Sequence, residues 1–322
     1  MKAAIHKKYG SPNNLKITDV KKPVPKEDEL LIRVMATTVN RTDCAMLRAK
    51  PVIIRLMLGL FKPKNPILGT DFAGIIEQIG TEVTRFRIGD KLFGFNDVGL
   101  SSHAEYIVIQ QDKFMATIPN KFSFEQATAS IEGAHYAQNF INKVNFKPNA
   151  KVLVNGATGA IGSALLQLLV AMKIDVTATA NTENINLIKT LGVTQVIDYT
   201  KIEFTQLNEK FDFVFDAVGK STFGKCRRIL TKKGIYISSE MGPWGQNLVF
   251  AIFTPLFKGR KVVFPYPNKH QFSIDLVKRL IEEDKFNPLI DRIYALNNIA
   301  SAFTYAETGE KVGNLVVKMK NE

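Results

Sequence analysis

VLVNGATGAIGSALLQLLVAM, residues 152–172, runs from an apolar stretch through a glycine-rich bend into a second apolar stretch. Two readings compete for it. It is either a phosphate-binding turn between a strand and a helix, or an ordinary strand, turn and helix whose glycines only let the backbone bend. The stretch alone does not choose, because Gly156, Gly159 and Gly162 satisfy both readings. Its surroundings do.

Beyond Pro148 the chain alternates between strands and helices. Strands are expected at KVLVN (151–155), DVTATA (175–180), QVIDY (195–199), FDFVFDAV (211–218), GIYISS (234–239) and KVVFPY (261–266). Helical segments at 160–173, 182–191 and 221–230 separate them. Apolar strands joined by short connections to helices imply a parallel, doubly wound sheet. The opening stretch is the first strand and helix of this run, which is the context a dinucleotide fingerprint requires.

Ala157 stands where GxGxxG has its first glycine, Gly159 would let the backbone approach a pyrophosphate, and Gly162 would let the helix pack close to its strand. Backbone N–H groups at the helix start, with the helix dipole behind them, would hold the phosphate charge. Ala157, Thr158, Gly159, Ala160, Ile161 and Gly162 are therefore the candidate pyrophosphate cradle. NAD-selective domains place a carboxylate about 20 residues after this turn, at the end of the second strand. Here that strand ends at Ala180, Asn181 and Thr182, with Glu183 one step into the next helix. With no acid at the strand end, and Asn181 and Thr182 able to donate to a 2′-phosphate, NADPH is expected over NADH.

The first 120 residues read as strands punctuated by Gly, Pro, Asn and Asp: ELLIRVMATTV (29–39), FAGIIEQIG (72–80), DKLFGF (90–95) and AEYIVI (104–109). Ser123 and Gln126 have capping-box spacing and open a helical pattern reaching residue 144. The tail holds helices at 273–284 and near 298–308 and a strand at 314–319.

At 322 residues, with 45% hydrophobic and 23% charged side chains, two soluble domains are expected. No apolar run approaches the roughly 18 residues of a membrane span, so no membrane partner is expected. The N-terminus lacks a signal-like apolar segment, which sets a cytoplasmic expectation. Two cysteines, Cys44 and Cys226, leave no four-thiolate metal site and are expected to stay reduced. Behind the net charge of +13, the densest clusters are KCRRILTKK (225–233) and KGRK (258–261), most other Lys and Arg being scattered singly. Neither cluster carries the interleaved aromatics of a base-stacking surface, so nucleic acid is not the expected partner. The aromatic stretch 240–257 could form an apolar wall for a flat substrate, a dimer contact or ordinary core.

Several ordered motifs carry a likeness across essentially the whole chain: MKAAIHKKYGSP at the start, LGTDFAGIIEQIGTEVTRFRIGDKLFG at 68–94, AEY at 104–106, the AxGxxG turn, FDFVFDAVG at 211–219 and GNLVV at 313–317. Together they resemble the medium-chain dehydrogenase/reductase superfamily, in its zinc-free quinone oxidoreductase branch. The resemblance implies an α/β fold, a doubly wound parallel Rossmann sheet inserted into a β-rich GroES-like domain. The boundaries expected are 1–122 plus 268–322 for the GroES-like substrate domain and 123–267 for the Rossmann domain. It adds Tyr199, Val218, Gly219 and Asn314 to the cofactor site, and a homodimer.

Zinc-bearing relatives place a Cys where this chain has Asn40 and a His-Glu pair where it has Thr70 and Asp71, so the resemblance implies no metal. His103 and His135 are expected to be structural. Without a Lewis acid, oxidation of simple alcohols loses its driving device, whereas hydride transfer to a quinone or enone asks only for hydrogen bonds and a proton at the developing oxyanion. Asn40 and Tyr136 are the candidates for that work. Tyr136 stands where many relatives carry Thr, and either donates a proton or packs against the nicotinamide. The expected substrate is a small hydrophobic electrophile. The alternatives are a short alcohol/aldehyde or enoyl reductase and, from another class, a cofactor-gated RNA-binding or structural protein.

Overall fold

The computed structural model describes residues 1–319. Its first strands are β1 (Lys2–His6), β2 (Leu15–Asp19), β3 (Glu29–Val39), β4 (Asp71–Ile79), β5 (Lys91–Phe95), β6 (Tyr106–Gln110) and β7 (Met115–Thr117). Then come β8 (Lys151–Asn155), β9 (Asp175–Ala180), β10 (Gln195–Asp198), β11 (Phe211–Asp216), β12 (Leu230–Ser238) and β13 (Lys261–Val263), and near the end β14 (Ile290–Ala295) and β15 (Asn314–Lys318). The helices are α1 (Arg41–Arg48), α2 (Arg55–Leu58), α3 (Phe124–Ala129), α4 (Glu132–Ile141), α5 (Ala160–Ala171), α6 (Ile185–Thr190), α7 (Phe223–Cys226), α8 (Gln246–Phe253), α9 (His270–Glu282) and α10 (Ile299–Thr308). None of the described helices is long and apolar enough to cross a membrane.

Two compact units result: Met1–Glu132 with the chain from His270 onward, and Gly133–Lys269. Residues 123–132 thus fall with the first unit rather than beyond the expected boundary at 122. The reason is packing. Phe124 and Ala129 of α3 join Ala36, Ile290 and Val316 in a small apolar cluster, and the Thr128 hydroxyl donates to Asp71.

The expected single helix from Ser123 to residue 144 is two helices. The Ser123–Gln126 capping box forms at the start of α3. Six residues later the Ser130 hydroxyl turns back to donate to Ala127 O at 2.7 Å, a bond that competes with helix continuation.

In the second unit the sheet order is β10-β9-β8-β11-β12-β13, and every neighbouring pair is parallel. This order reverses direction between β8 and β11, the switch point where ligands bind in doubly wound sheets. Every residue of α5 from Ala160 to Leu169 is buried, which accounts for its lack of a polar face. Phe211, Val214, Tyr236 and Val262 form the core on one sheet face with Ile229 and Leu230. The helix expected at 221–230 shrinks to α7, because the chain re-enters the sheet at Leu230, which pairs with Phe211.

The first unit is built on β3, whose eleven residues pair antiparallel with β15, β4 and β6. The sheet runs β14-β15-β3-β4-β5-β7. Leu30, Ile32, Phe72, Leu92, Ile107 and Phe303 belong to its core. Inside lies a polar centre organised by Asp71. Its carboxylate accepts from Thr38 N at 2.7 Å, from the Thr128 hydroxyl at 2.7 Å and from the hydroxyls of Thr37 and Thr38.

His103 is fully buried beside this centre, its Nε2–H donating to Thr38 O at 2.9 Å and its ring edge-on to Phe303. Its Nδ1 has no hydrogen-bond partner. Burial lowers its pKa to about 4, so the 3.8 Å approach of Asp43 Oδ2 is not an ion pair at neutral pH. An imidazole kept neutral by the fold takes up a proton in the unfolded chain first, so its contribution is present above about pH 6.5 and is lost as pH falls toward 4. Across that window the wild type should lose about 3 kcal/mol more stability than His103→Gln. Urea unfolding at both ends of the window measures this, and parallel pH dependence of the two proteins would count against it.

Candidate functional site

In the second unit β8 ends at Asn155 and α5 starts at Ala160, with Gly159 as its N-cap. The three glycines between and beyond have different physical reasons. Gly156 has φ +82°, and a Cβ there would sit 2.6 Å from Val218 Cβ. A Cβ on Gly162 would lie 2.1 Å from Gly156 O, so the helix is seated directly on the turn. Gly159 is neither strained nor crowded: its φ is −71°, and a Cβ would meet only Gly156 O at 3.7 Å. The protein leaves open space there. No side chain caps α5, so the first N–H groups of the helix face that space without intrahelical acceptors. An anion fits this arrangement.

A buried network fixes the turn from below. Asn155 Nδ2 donates to Asp216 Oδ1 at 2.9 Å, and the Thr179 hydroxyl donates to Asn155 Oδ1 at 2.8 Å. Asp216 also accepts from the Tyr236 hydroxyl and from Gly219 N at 2.9 Å each, and from Ser221 N at 3.0 Å. This carboxylate therefore ties β8, β11 and β12 together, with Asn155 as the relay to β9, and shapes the segment holding Val218 and Gly219. Asn155, Thr179 and Asp216 were not singled out by sequence reasoning. Their only signal is a polar residue closing an apolar strand.

At the end of β9 the structure changes one expectation. The Thr182 hydroxyl donates to Asp198 Oδ2 at 2.5 Å, and the Thr200 hydroxyl donates to Asp198 Oδ1 at 2.6 Å. These bonds hold the Asp198 carboxyl at about 2, well below its usual range, with Lys201 Nζ 3.4 Å away. Thr182 is thus committed to a carboxylate supplied by the neighbouring strand, and its hydroxyl proton is not available to a phosphate. Asn184 Nδ2 donates to Asn181 Oδ1 at 2.6 Å, leaving Nδ2 as the atom Asn181 can offer. Tyr199 follows Asp198 with its side chain exposed and its N–H on Ala180 O.

The first unit holds Asn40, Asn314 and Glu132. Asn40 caps α1: its Oδ1 accepts from Asp43 N at 3.0 Å while Nδ2 donates to Thr70 Oγ1 at 2.7 Å. It is 4% exposed and works as a clamp between α1 and the Asp71 centre. Asn314 Nδ2 donates to Leu289 O at 2.9 Å. Glu132, also missed in the sequence, is buried at the start of α4, and burial pushes it up to about 7 against the charges of Lys311 and Arg41. In the second unit, Tyr136 lies half-buried on α4, its ring 5.6 Å from that of His135. His135 is fully buried, with Asn139 Nδ2 3.3 Å from its Nε2.

Over 98% of the chain and 79% of its own length, the 2-methylene-furan-3-one reductase of Solanum lycopersicum is 30% identical. The chain belongs to the medium-chain dehydrogenase/reductase superfamily. The superfamily's alcohol dehydrogenase GroES-like domain matches residues 26–120, and a model described as zinc-binding dehydrogenase matches residues 191–317. The chloroplastic NADPH-dependent alkenal/one oxidoreductase of Arabidopsis thaliana is also 30% identical, over 98% of this chain and 79% of its own. Among solved structures, the quinone oxidoreductase from Coxiella burnetii has a TM-score of 0.85 at 26% identity, covering 99% of both chains. These likenesses put this superfamily member in the quinone oxidoreductase branch.

At the positions where zinc-bearing relatives carry their ligands, the zinc-binding description does not suit Asn40, Thr70 and Asp71. Asn40 and Thr70 are bonded to each other, and Asp71 is saturated by threonine hydroxyls and a backbone N–H. An amide, a hydroxyl and an engaged carboxylate do not make a zinc ligand set. A nicotinamide dinucleotide does fit the turn at 156–162. Gly159→Val should fold with near wild-type stability yet lose NADPH binding, whereas Gly162→Ala should be destabilised by roughly 1–3 kcal/mol through overpacking. Thermal unfolding and NADPH titration of both variants read this directly; retained affinity in Gly159→Val would free the turn of a cofactor role.

Proposed function

We propose that this chain is a zinc-independent, NADPH-dependent oxidoreductase that transfers hydride to quinones or to activated alkenes such as enones. The observation that carries the reading is the uncapped start of α5 facing open space at Gly159, in a member of the quinone oxidoreductase branch. NADPH supplies the hydride when bound. Ala160, Ile161 and Gly162 would hold its pyrophosphate through backbone N–H groups at the positive end of the helix.

The oxyanion left by hydride addition needs a hydrogen-bond donor and then a proton. Asn40 has its amide committed to Thr70 and its Oδ1 to Asp43 N, so the proton-donor role goes to the half-buried Tyr136. Purified protein should reduce menadione and an alkenal far faster than it oxidises ethanol, with Tyr136→Phe slowing turnover at unchanged NADPH affinity and chelators having no effect. Stoichiometric zinc whose removal abolishes activity, or robust ethanol oxidation, would overturn the reading.

The preference for NADPH rests on Asn181. No carboxylate stands at the C-terminal end of β9, and the charge of Asp198 is countered by Lys201. A new carboxylate about 5 Å from the 2′-phosphate, at an effective dielectric near 20, costs roughly 3 kcal/mol, or about a hundredfold in affinity. Asn181→Asp should therefore weaken NADPH by about that factor and spare NADH. Titrating both cofactors into both proteins checks it; tighter NADH binding by the wild type contradicts it.

We further propose a homodimer through β13. This strand ends the sheet with one edge unpaired by the described residues, and Ile252, Phe253, Leu256 and Phe257 beside it are exposed while Phe250 and Ala251 pack inward. A bare strand edge next to apolar side chains favours pairing with a second copy. Light scattering should return twice the chain mass, and a monomer mass at working concentrations would dismiss the pairing.

A further inference from the structure

We propose that residues 51–61 form a docking element for the surface of an anionic phospholipid bilayer. PVIIRLMLGLF carries six large apolar side chains that the fold leaves outside: Val52, Ile53, Leu56, Met57, Leu60 and Phe61. Phe61 is 89% exposed and Met57 70%. Isolated exposed hydrophobes are ordinary, but six within ten residues form a contiguous patch that marks an interaction surface.

The segment is held as a scaffold by its own hydrogen bonds. Ile54 N donates to Pro51 O at 3.0 Å, Gly59 N to Arg55 O at 2.9 Å and Lys64 N to Leu58 O at 2.8 Å. Outside it, the Tyr9 hydroxyl donates to Gly59 O at 2.8 Å, and the Arg55 guanidinium lies 5.2 Å from the Tyr9 ring centroid. Backbone polar groups satisfied within the protein are what a segment needs to enter a headgroup boundary, where unsatisfied groups are costly.

Charge selects the occupant. From Cys44 to Thr70 the chain has no carboxylate. Lys50, Lys62 and Lys64 are exposed around the apolar tip. Lys7 and Lys8 are exposed too, between His6, whose N–H donates to Pro66 O, and Tyr9, which holds Gly59. Arg48, by contrast, is neutralised by Glu307. Five exposed lysines around a protruding apolar tip would repel a second copy presented face to face. They complement anionic headgroups, with the lysine stems lying along the apolar surface and the ammonium groups at headgroup level. The reading of the substrate as a lipophilic quinone or enone gives such docking a use, since these molecules partition into bilayers.

Co-sedimentation of the full chain with vesicles of phosphatidylcholine and phosphatidylserine, without substrate or NADPH, tests the docking apart from the chemistry. Binding should require phosphatidylserine and weaken on going from about 0.1 M to about 0.5 M salt. It should fall by about tenfold or more in Leu60→Ser/Phe61→Ser and, separately, in Lys62→Glu/Lys64→Glu. Circular dichroism on each variant verifies its fold. No sedimentation with any vesicle overturns the proposal, as does unchanged binding by both folded variants. Loss of self-association in the serine variant, with no lipid binding by the wild type, assigns the patch to a second copy and also overturns it. None of these results touches the reductase reading, which stands or falls on turnover of soluble substrates.

Discussion

The seat of α5 on the turn below it is the contact on which the second unit depends. A single missing side chain at Gly162 lets the helix rest on the carbonyl of Gly156, where a Cβ would be 2.1 Å away. That closeness aims the positive end of a twelve-residue helix, buried from Ala160 to Leu169, at one place in space. Asp216 completes the constraint, because its carboxylate collects donors from the end of β8, from the segment after β11 and from β12. Removing this hydrogen-bond acceptor would leave Asn155 Nδ2, the Tyr236 hydroxyl and two backbone N–H groups without their partner, at a cost set by their desolvation. The rigidity of the turn is therefore a property of hydrogen bonds between strand ends rather than of the glycines, which only make room.

The first unit solves a related problem with different chemistry. Its polar centre carries Asp43, Asp71 and Glu132, all buried, and burial raises each of them. Threonine hydroxyls and backbone N–H groups surround Asp71, and Lys311 and Arg41 act on Glu132. A position that could hold a metal in a related chain is here closed by an amide-to-hydroxyl bond between Asn40 and Thr70. The centre is held by protons shared among side chains, which makes it sensitive to pH in ways a metal-filled core is not.

Much of this was legible from residue order. KVLVN, DVTATA and ELLIRVMATTV fall on β8, β9 and β3 residue for residue, because largely buried strands are written as near-continuous runs of β-branched and apolar residues. The capping box at Ser123 and Gln126 was equally readable, being a local interaction. What escaped was non-local. The break after α3 depends on a serine hydroxyl finding a carbonyl, and the segment then packing on the first unit's sheet. Thr182 and Asp198 are sixteen residues apart, and nothing in either neighbourhood announces that parallel pairing of β9 with β10 will join them. Asn40 was visible as a polar residue at a strand end, and its cap on α1 is local, but its burial and its bond to Thr70 are set by contacts thirty residues away.

The two thiols have a bearing on an enzyme that handles electrophiles. Enones and quinones are alkylating agents toward thiolates, so such a catalyst works among molecules able to inactivate it. Cys44 is half-buried and Cys226 buried, and burial pushes both up to about 12. At neutral pH only about one thiol in a hundred thousand would be in the nucleophilic form at such a pKa. Cys226 is further occupied by the Ser221 hydroxyl 3.2 Å from its sulfur. With both thiols kept protonated, the chain can turn over reactive carbonyl compounds while offering them almost no thiolate.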